Sequence, residues 1–191
     1  MKVSKGSAGY IRFQKIKAAI KTFLEFGIVI GLIVLGIVET GDKLNLLTVV
    51  AILGCIPASK ALVELIMILP HRSISREKAQ EIETKAYLLT RAYDMVLTSE
   101  KNIMPIDVIV ISDNTICGYT SNKKVDVNVA SNHIKKYLHS NQFSKVSVKI
   151  FQDYTAFITR AEGMNNIVSI EQNNTKQKEM AIRRVILNIS L

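Results

Sequence analysis

The chain has no tryptophan, only two cysteines and three prolines, and nine scattered glycines among 191 residues. Each scarcity removes a class of protein. Cys55 and Cys117 have no CxxC or Cys/His spacing, so neither a disulfide framework nor a zinc site is written here. Each reads as a small, buried apolar side chain. Gly118 and Gly163 stand isolated, which removes the phosphate-cradling P-loop and the dinucleotide fingerprint. His71, His133 and His139 are far apart, with no cysteine or carboxylate at ligand spacing. No serine sits in a nucleophile elbow. The expectation is therefore no cofactor, no metal and no catalytic set.

What the chain does have is two long apolar runs. Between Ala18 and Val38 only Lys21 and Glu25 are charged, and between Leu46 and Leu69 only Lys60 and Glu64. About 20 mainly apolar residues in a helix cross a hydrocarbon core of about 30 Å. A pair of buried helices in a soluble protein would need a polar face, and Phe26 to Val38 has none. A cleaved leader fits poorly, because Glu39-Thr40-Gly41-Asp42 is a poor cleavage site and a second run follows at once. Spans are expected at about 18–38 and 46–69, forming a transmembrane hairpin over 18–70.

Orientation follows from charge. Residues 1–17 form a basic arm carrying Lys2, Lys5, Arg12, Lys15 and Lys17 without an acid. The loop holds Glu39, Asp42 and Lys43, and His71, Arg72, Arg76 and Lys78 follow the second run. The positive-inside rule places both termini in the cytoplasm and the protein in the cell membrane.

Lys21 and Glu25 are spaced i,i+4, as are Lys60 and Glu64. In an antiparallel hairpin Glu25 is level with Lys60, and Lys21 with Glu64, so opposite charges share a depth. All four lie toward the cytoplasmic ends, where long side chains snorkel. Gly27 and Gly31 form a GxxxG pattern, level with Ala58 and Gly54, and small residues let helices approach closely in lipid. At 100° per residue, Glu25 and Gly27 lie 200° apart, as do Ala58 and Lys60. One face lines the hairpin, and the other is expected to meet a second copy of the chain in a homo-oligomer. The plainer alternative is snorkelling with pairing inside each helix. A gate or ion path would need ionisable groups through the outer parts of the spans, which have none. Pro57 removes one backbone donor and is expected to kink the second helix.

From residue 71 to residue 191 the composition is that of a soluble α/β domain. Ser73 or Ser75 is expected to cap a helix running to about Ser99, with a stripe of Ile82, Ala86, Leu89, Tyr93 and Val96. Ile106 to Ile111 reads as a strand, Asp113-Asn114 as a turn and Thr115 to Tyr119 as a returning strand. A helix from Asn128 or Ser131, a strand at Val146 to Ile150 and a helix capped by Asp153 follow. A short strand at Ile167 to Ile170 and a last helix from Lys176 to Ile189 complete an α-β-β-α-β-α-β-α order with a mixed sheet.

Helix, hairpin, helix, strand over Ser75 to Phe151 resembles the core of the restriction-endonuclease-like nucleases. That resemblance implies an acid at the end of one strand and an acid-x-lysine pair on the next, holding a metal. Asp107 matches the first position, whereas Thr115-Ile116-Cys117-Gly118-Tyr119-Thr120 has no acid-x-lysine. Lys5-Gly6-Ser7-Ala8-Gly9-Tyr10-Ile11, with the stretch from Asn45 to Ala61, is similar to a group of uncharacterised bacterial two-pass membrane proteins. This second resemblance implies the two-pass architecture and no known activity.

The pairs Lys123-Lys124, Lys135-Lys136 and Arg183-Arg184 are candidates for contact with an anionic partner. A lipid bilayer surface is favoured over nucleic acid, because the inner leaflet is anionic and adjacent. Three functions remain open at this point. The first is a non-enzymatic membrane protein whose cytosolic domain binds a protein or small molecule. The others are a membrane-tethered, degenerate nuclease-like or nucleic-acid-binding module, and a ligand-gated membrane effector.

Overall fold

The structure, a computed structural model, describes residues 4–42, 45–99, 102–171 and 175–190. The chain divides into two units, Ile11–Arg72 and Ser73–Leu191, the second taking in Met1–Tyr10 as well.

The first unit is built on α1 (Tyr10–Thr40) and α2 (Leu46–Ile68), both long and apolar enough to cross a bilayer. Asn45 organises the reversal between them. Its Oδ1 accepts the Thr48 N–H at 2.9 Å, capping α2, while its Nδ2 donates to Thr40 Oγ1 at 3.1 Å and to the Asp42 carbonyl at 2.9 Å. Gly36 leaves room for this cap: a Cβ there would stand 2.5 Å from Asn45 Oδ1. α2 runs unbroken through Pro57.

The covered positions of α2 are spaced four and three apart. Ala51, Ala58 and Ala61 are fully buried, and Leu47, Gly54, Leu65 and Ile68 are half-buried. On α1 the buried set is Ile11, Ala18, Thr22, Val29 and Gly36, with Glu25 half-buried on the same stripe. A repeat of 3.5 residues keeps one seam facing its partner, as in a left-handed supercoil. Contacts at four depths fix the register. From the loop downward they are Gly36 with Asn45, Val29 with Gly54, Lys21 with Glu64, and Lys15 Nζ donating to the Leu69 carbonyl at 2.6 Å. A Cβ on Gly54 would meet Val29 Cγ2 at 3.3 Å, so the small residues of α2 set the closeness of approach.

The second unit begins with α3 (Arg76–Lys85), capped by Ser75. Three strands follow as a meander: β1 (Thr90–Thr98), β2 (Ile103–Ser112) and β3 (Thr115–Tyr119). α4 (Val127–Ser140) then crosses over to β4 (Ser147–Phe151), which pairs parallel to β3, and α5 (Tyr154–Glu171) and α6 (Lys176–Asn188) complete the unit. The sheet order is β1-β2-β3-β4. One core lies on the α4 and α6 side, around Ile109, Ile116, Ile134 and Ile182. The other lies on the α3 and α5 side, around Ile82, Val108, Val110 and Phe157.

The element order differs from expectation in two places. The helix expected to reach Ser99 stops at Lys85, and residues 90–98 form β1. Every residue from Ala92 to Leu97 is buried, so the strand shows no polar alternation, and its apolar residues mimic a helical stripe. The strand expected at Ile167 to Ile170 is the last part of α5. Its isoleucines point outward, Ile170 being 81% exposed, so an apolar run there never marked a buried strand.

The basic arm is divided between a docked segment and the start of α1. Residues 4–9 form turns that dock on β1 at Gly6, whose carbonyl accepts the Tyr93 N–H at 3.0 Å. Lys5 Nζ donates to the Ser190 carbonyl at 2.6 Å, and Arg183 spans Arg91 and Gly6. Gly6 has φ +83°, and a Cβ there would fall 2.8 Å from the Arg183 guanidinium. Only glycine meets both demands.

Candidate functional site

Two groups of polar side chains stand out, one in each unit. In the hairpin, Lys21 Nζ lies 3.5 Å from Glu64 Oε2, at the shared depth of these residues. Glu25 and Lys60 do not meet. Glu25 sits on the seam stripe, where the Val29–Gly54 register brings it level with Ala58, and its Oε2 is shut from solvent without a hydrogen-bond partner among the described residues. Lys60 is on the exposed side of α2. Gly54 and Ala58 line the seam, but Gly27 and Gly31 do not match them there: a Cβ at either meets nothing within 4 Å. The seam on α1 is therefore the stripe of Ala18, Thr22, Glu25 and Val29. The readable signal for it was the four-three spacing of Ala51, Gly54, Ala58 and Ala61, which a search for GxxxG alone passes over.

In the sheet unit, Asp107 and Asp94 hold opposite register positions where the β1–β2 ladder is interrupted. Tyr93 pairs with Val108 and Met95 with Ile106, while neither aspartate is a ladder partner. The strands change faces at this point: Tyr93 and Val108 belong to the α3/α5 core, Met95 and Ile106 to the α4/α6 core. Asp94 has φ +52°, and its Oδ1 accepts the Ile74 N–H at 2.9 Å. Asp107 Oδ2 accepts the Ser121 N–H at 2.7 Å and holds the turn after β3, where Thr120 Oγ1 also donates to the Pro105 carbonyl at 2.7 Å. Burial pushes the Asp107 carboxyl up, against the opposing pull of its Ser121 hydrogen bonds and of Lys78.

Beside it, Lys78 from α3 donates to Tyr119 Oη at 3.1 Å and lies 4.6 Å from the Tyr154 ring centre. The two tyrosine rings meet edge to face at 5.3 Å. Tyr154 Oη in turn donates to Glu81 Oε2 at 2.7 Å. That bond holds the Glu81 carboxyl below its usual range, while burial and then Glu81 push the Tyr154 phenol up. The cluster joins α3, β3 and α5 through a cation packed against aromatic faces. It holds its phenol protonated rather than generating a nucleophile.

The nuclease-like resemblance implies a metal near Asp107, and these residues do not fit one. The carboxylate is engaged by Ser121, the register places Thr120 rather than an acid across from it, and the Lys78 ammonium acts on it electrostatically. Among the described residues no three His, Cys, Asp or Glu side chains converge as a metal would need. The observed contact of Asp107 is the turn after β3, which it holds through the Ser121 N–H.

The expected anion-binding residues are dispersed. Lys123 and Lys124 are exposed in the loop before α4, Lys135 and Lys136 are exposed on α4, and Arg184 is exposed on α6. Arg183 is engaged internally, where its Nε donates to the Arg91 carbonyl at 2.8 Å. Comparison of the chain with protein-family models, with curated proteins and with solved structures finds no match.

Proposed function

We propose that this chain is a two-pass membrane protein, both termini cytoplasmic, whose α/β unit is a non-enzymatic binding module held at the inner leaflet. One observation carries the membrane reading. The large apolar side chains of the hairpin point outward around most of both helices: Phe23 is 83% exposed, Leu46 79% and Ile56 71%. Core helices of a soluble protein bury such residues, and a soluble monomer rarely exposes apolar patches beyond a few hundred Å². In hydrocarbon that surface is the solvated one. The internal use of Asp107 and Lys78 favours binding over nuclease chemistry.

The Gly27–Gly31 face supports self-association, because these glycines serve no contact inside the hairpin. The partner is a second copy of the chain, and the ligand of the α/β unit is a protein or small molecule. Alkaline carbonate extraction of membranes tests insertion directly: the protein stays in the pellet if the hairpin spans the bilayer and is released if it does not.

The docked arm supports a second reading, a ligand-gated effector. Gly6 is bonded to β1 and α1 begins four residues later, at Tyr10, so the chain itself could couple a shift of the sheet edge to the hairpin. Liposome leakage that depends on Glu25 and Lys60 would support it, and the absence of leakage would remove it.

A further inference from the structure

β4 is an edge strand, and α5 starts after Gln152 and Asp153. Along β4, Val148 and Ile150 are buried in the α4-side core, so strand alternation sends Lys149 and Phe151 to the α5 side. Along α5, Thr155, Thr159 and Gly163 recur every four residues along one stripe, and Arg160 lies at its flank, nearest Gly163. These side chains line an open groove of about 570 Å³. Gly163 widens it, since nothing lies within 4 Å of the position a Cβ would take.

The groove is electrically unbalanced. Arg160 and Lys149 both act on the buried Cys117 thiol, and Cys117 is the register partner of Lys149, so the two cations lie near one row of the sheet. Neither forms an ion pair among the described residues. Asp153 lies at the groove too, but its oxygens accept the Thr155 and Ala156 N–H groups at 3.1 and 3.3 Å, so its charge is directed at the start of α5. Several other basic side chains are engaged within the unit: Lys5 and Arg183 on carbonyls, Lys78 on tyrosines, Lys85 and Lys178 on acids.

We propose that this groove binds a phosphate-bearing small molecule of about nucleotide size. A guanidinium and an ammonium supply charge-assisted hydrogen bonds to phosphate oxygens, and two threonine hydroxyls supply neutral donors. The half-buried Phe151 ring, with Lys149 Nζ 5.0 Å from its centre, offers an apolar floor. The volume falls within the range of about 300–1,000 Å³ usual for small-ligand sites. This inference rests on the binding-module reading and names its ligand class. A free nucleotide and a lipid phosphate headgroup present the same chemistry.

The test uses the full chain in phosphatidylcholine nanodiscs, titrated calorimetrically with ATP and with inorganic pyrophosphate. Saturable binding is expected, weakened roughly tenfold or more by Arg160→Ala and by Lys149→Ala, less by Arg160→Lys, and unchanged by Lys145→Ala in the loop before β4. Repeating the titration in discs containing phosphatidic acid separates the sources. A weakened apparent affinity for ATP in the wild type, absent in the Arg160→Ala variant, marks the headgroup as a competing ligand. An unchanged affinity marks a soluble one. Both side chains are exposed, and unchanged thermal unfolding of the variants shows that the fold survives. No saturable binding in either disc, or binding that both alanine variants leave intact, overturns the proposal. Membrane insertion is read separately by carbonate extraction, so the two readings fail independently.

Discussion

At the scale of single residues, the α/β unit is tied together by one buried acid. Glu179 is 1% exposed, yet it accepts from Thr90 Oγ1 at 2.5 Å, the Asp113 N–H at 3.1 Å and Thr175 Oγ1 at 3.0 Å, with Lys176 Nζ at 3.3 Å. Burial pushes its carboxyl up, but these bonds and the lysine outweigh burial and hold it below its ordinary value of 4.5. A depressed carboxylate stabilises the fold fully above its unfolded value, and that stability is lost as pH falls through the lower folded value. Glu179→Ala is therefore expected to cost about 3 kcal/mol at neutral pH, because it strands several buried donors. Glu179→Gln should flatten the acid limb of a stability–pH curve, and denaturant unfolding of the detergent-solubilised chain reads both effects. Tyr93 is the opposite case. Its Oη is buried without a hydrogen-bond partner among the described residues, and burial pushes the phenol up to about 12. Tyr93→Phe removes a group that gains nothing from burial, so stability should be unchanged or should rise by up to about 1 kcal/mol. Neither role was legible in the sequence. A glutamate in a helix that is otherwise Lys- and Arg-rich reads as a surface charge, and nothing local shows that Thr90 and Asp113 come to meet it.

At the scale of elements, the legible parts were those with local punctuation. Ser75 and Asp153 cap helices as expected, and Asp113-Asn114 makes the β2–β3 turn. β1 was hidden because a strand buried on both faces has no period, and its pairing with β2 is a long-range fact. In the hairpin, depth was legible and facing was not: equal distance from the loop placed Lys21 beside Glu64, but which stripe of α1 turns inward depends on packing against Ala51, Gly54, Ala58 and Ala61. This difference yields a sharp contrast between glycines. Gly54→Leu should separate the helices, since even a Cβ there meets Val29 at 3.3 Å, and Gly36→Leu should expel the Asn45 cap. Loss of that cap alone costs about 1 kcal/mol. Gly27→Leu and Gly31→Leu should leave the hairpin intact and weaken only self-association. Native mass spectrometry with thermal unfolding in the same detergent separates the two classes. A uniformly monomeric wild type would contradict the oligomer.

At the scale of the whole molecule, the chain joins an apolar hairpin with few charges to a unit that carries most of the excess behind its formal net charge of +9. Basic residues flank the hairpin at both ends of the sequence run, and the short loop between the helices is acidic in balance. In the proposed topology that asymmetry orients the chain, and an anionic inner leaflet would attract the basic unit. In the proposed function, binding happens at the groove of Lys149 and Arg160, and the hairpin would hold the unit that carries it at the membrane. The central claim is the topology, and impermeant maleimide labelling of intact cells tests it most directly. With Cys55 and Cys117 replaced by alanine, an Asp42→Cys variant, in the loop, should label in intact cells. A Ser140→Cys variant, exposed at the end of α4, should label only after lysis. Labelling of the Ser140 position in intact cells, or protection of the Asp42 position until lysis, would contradict the account.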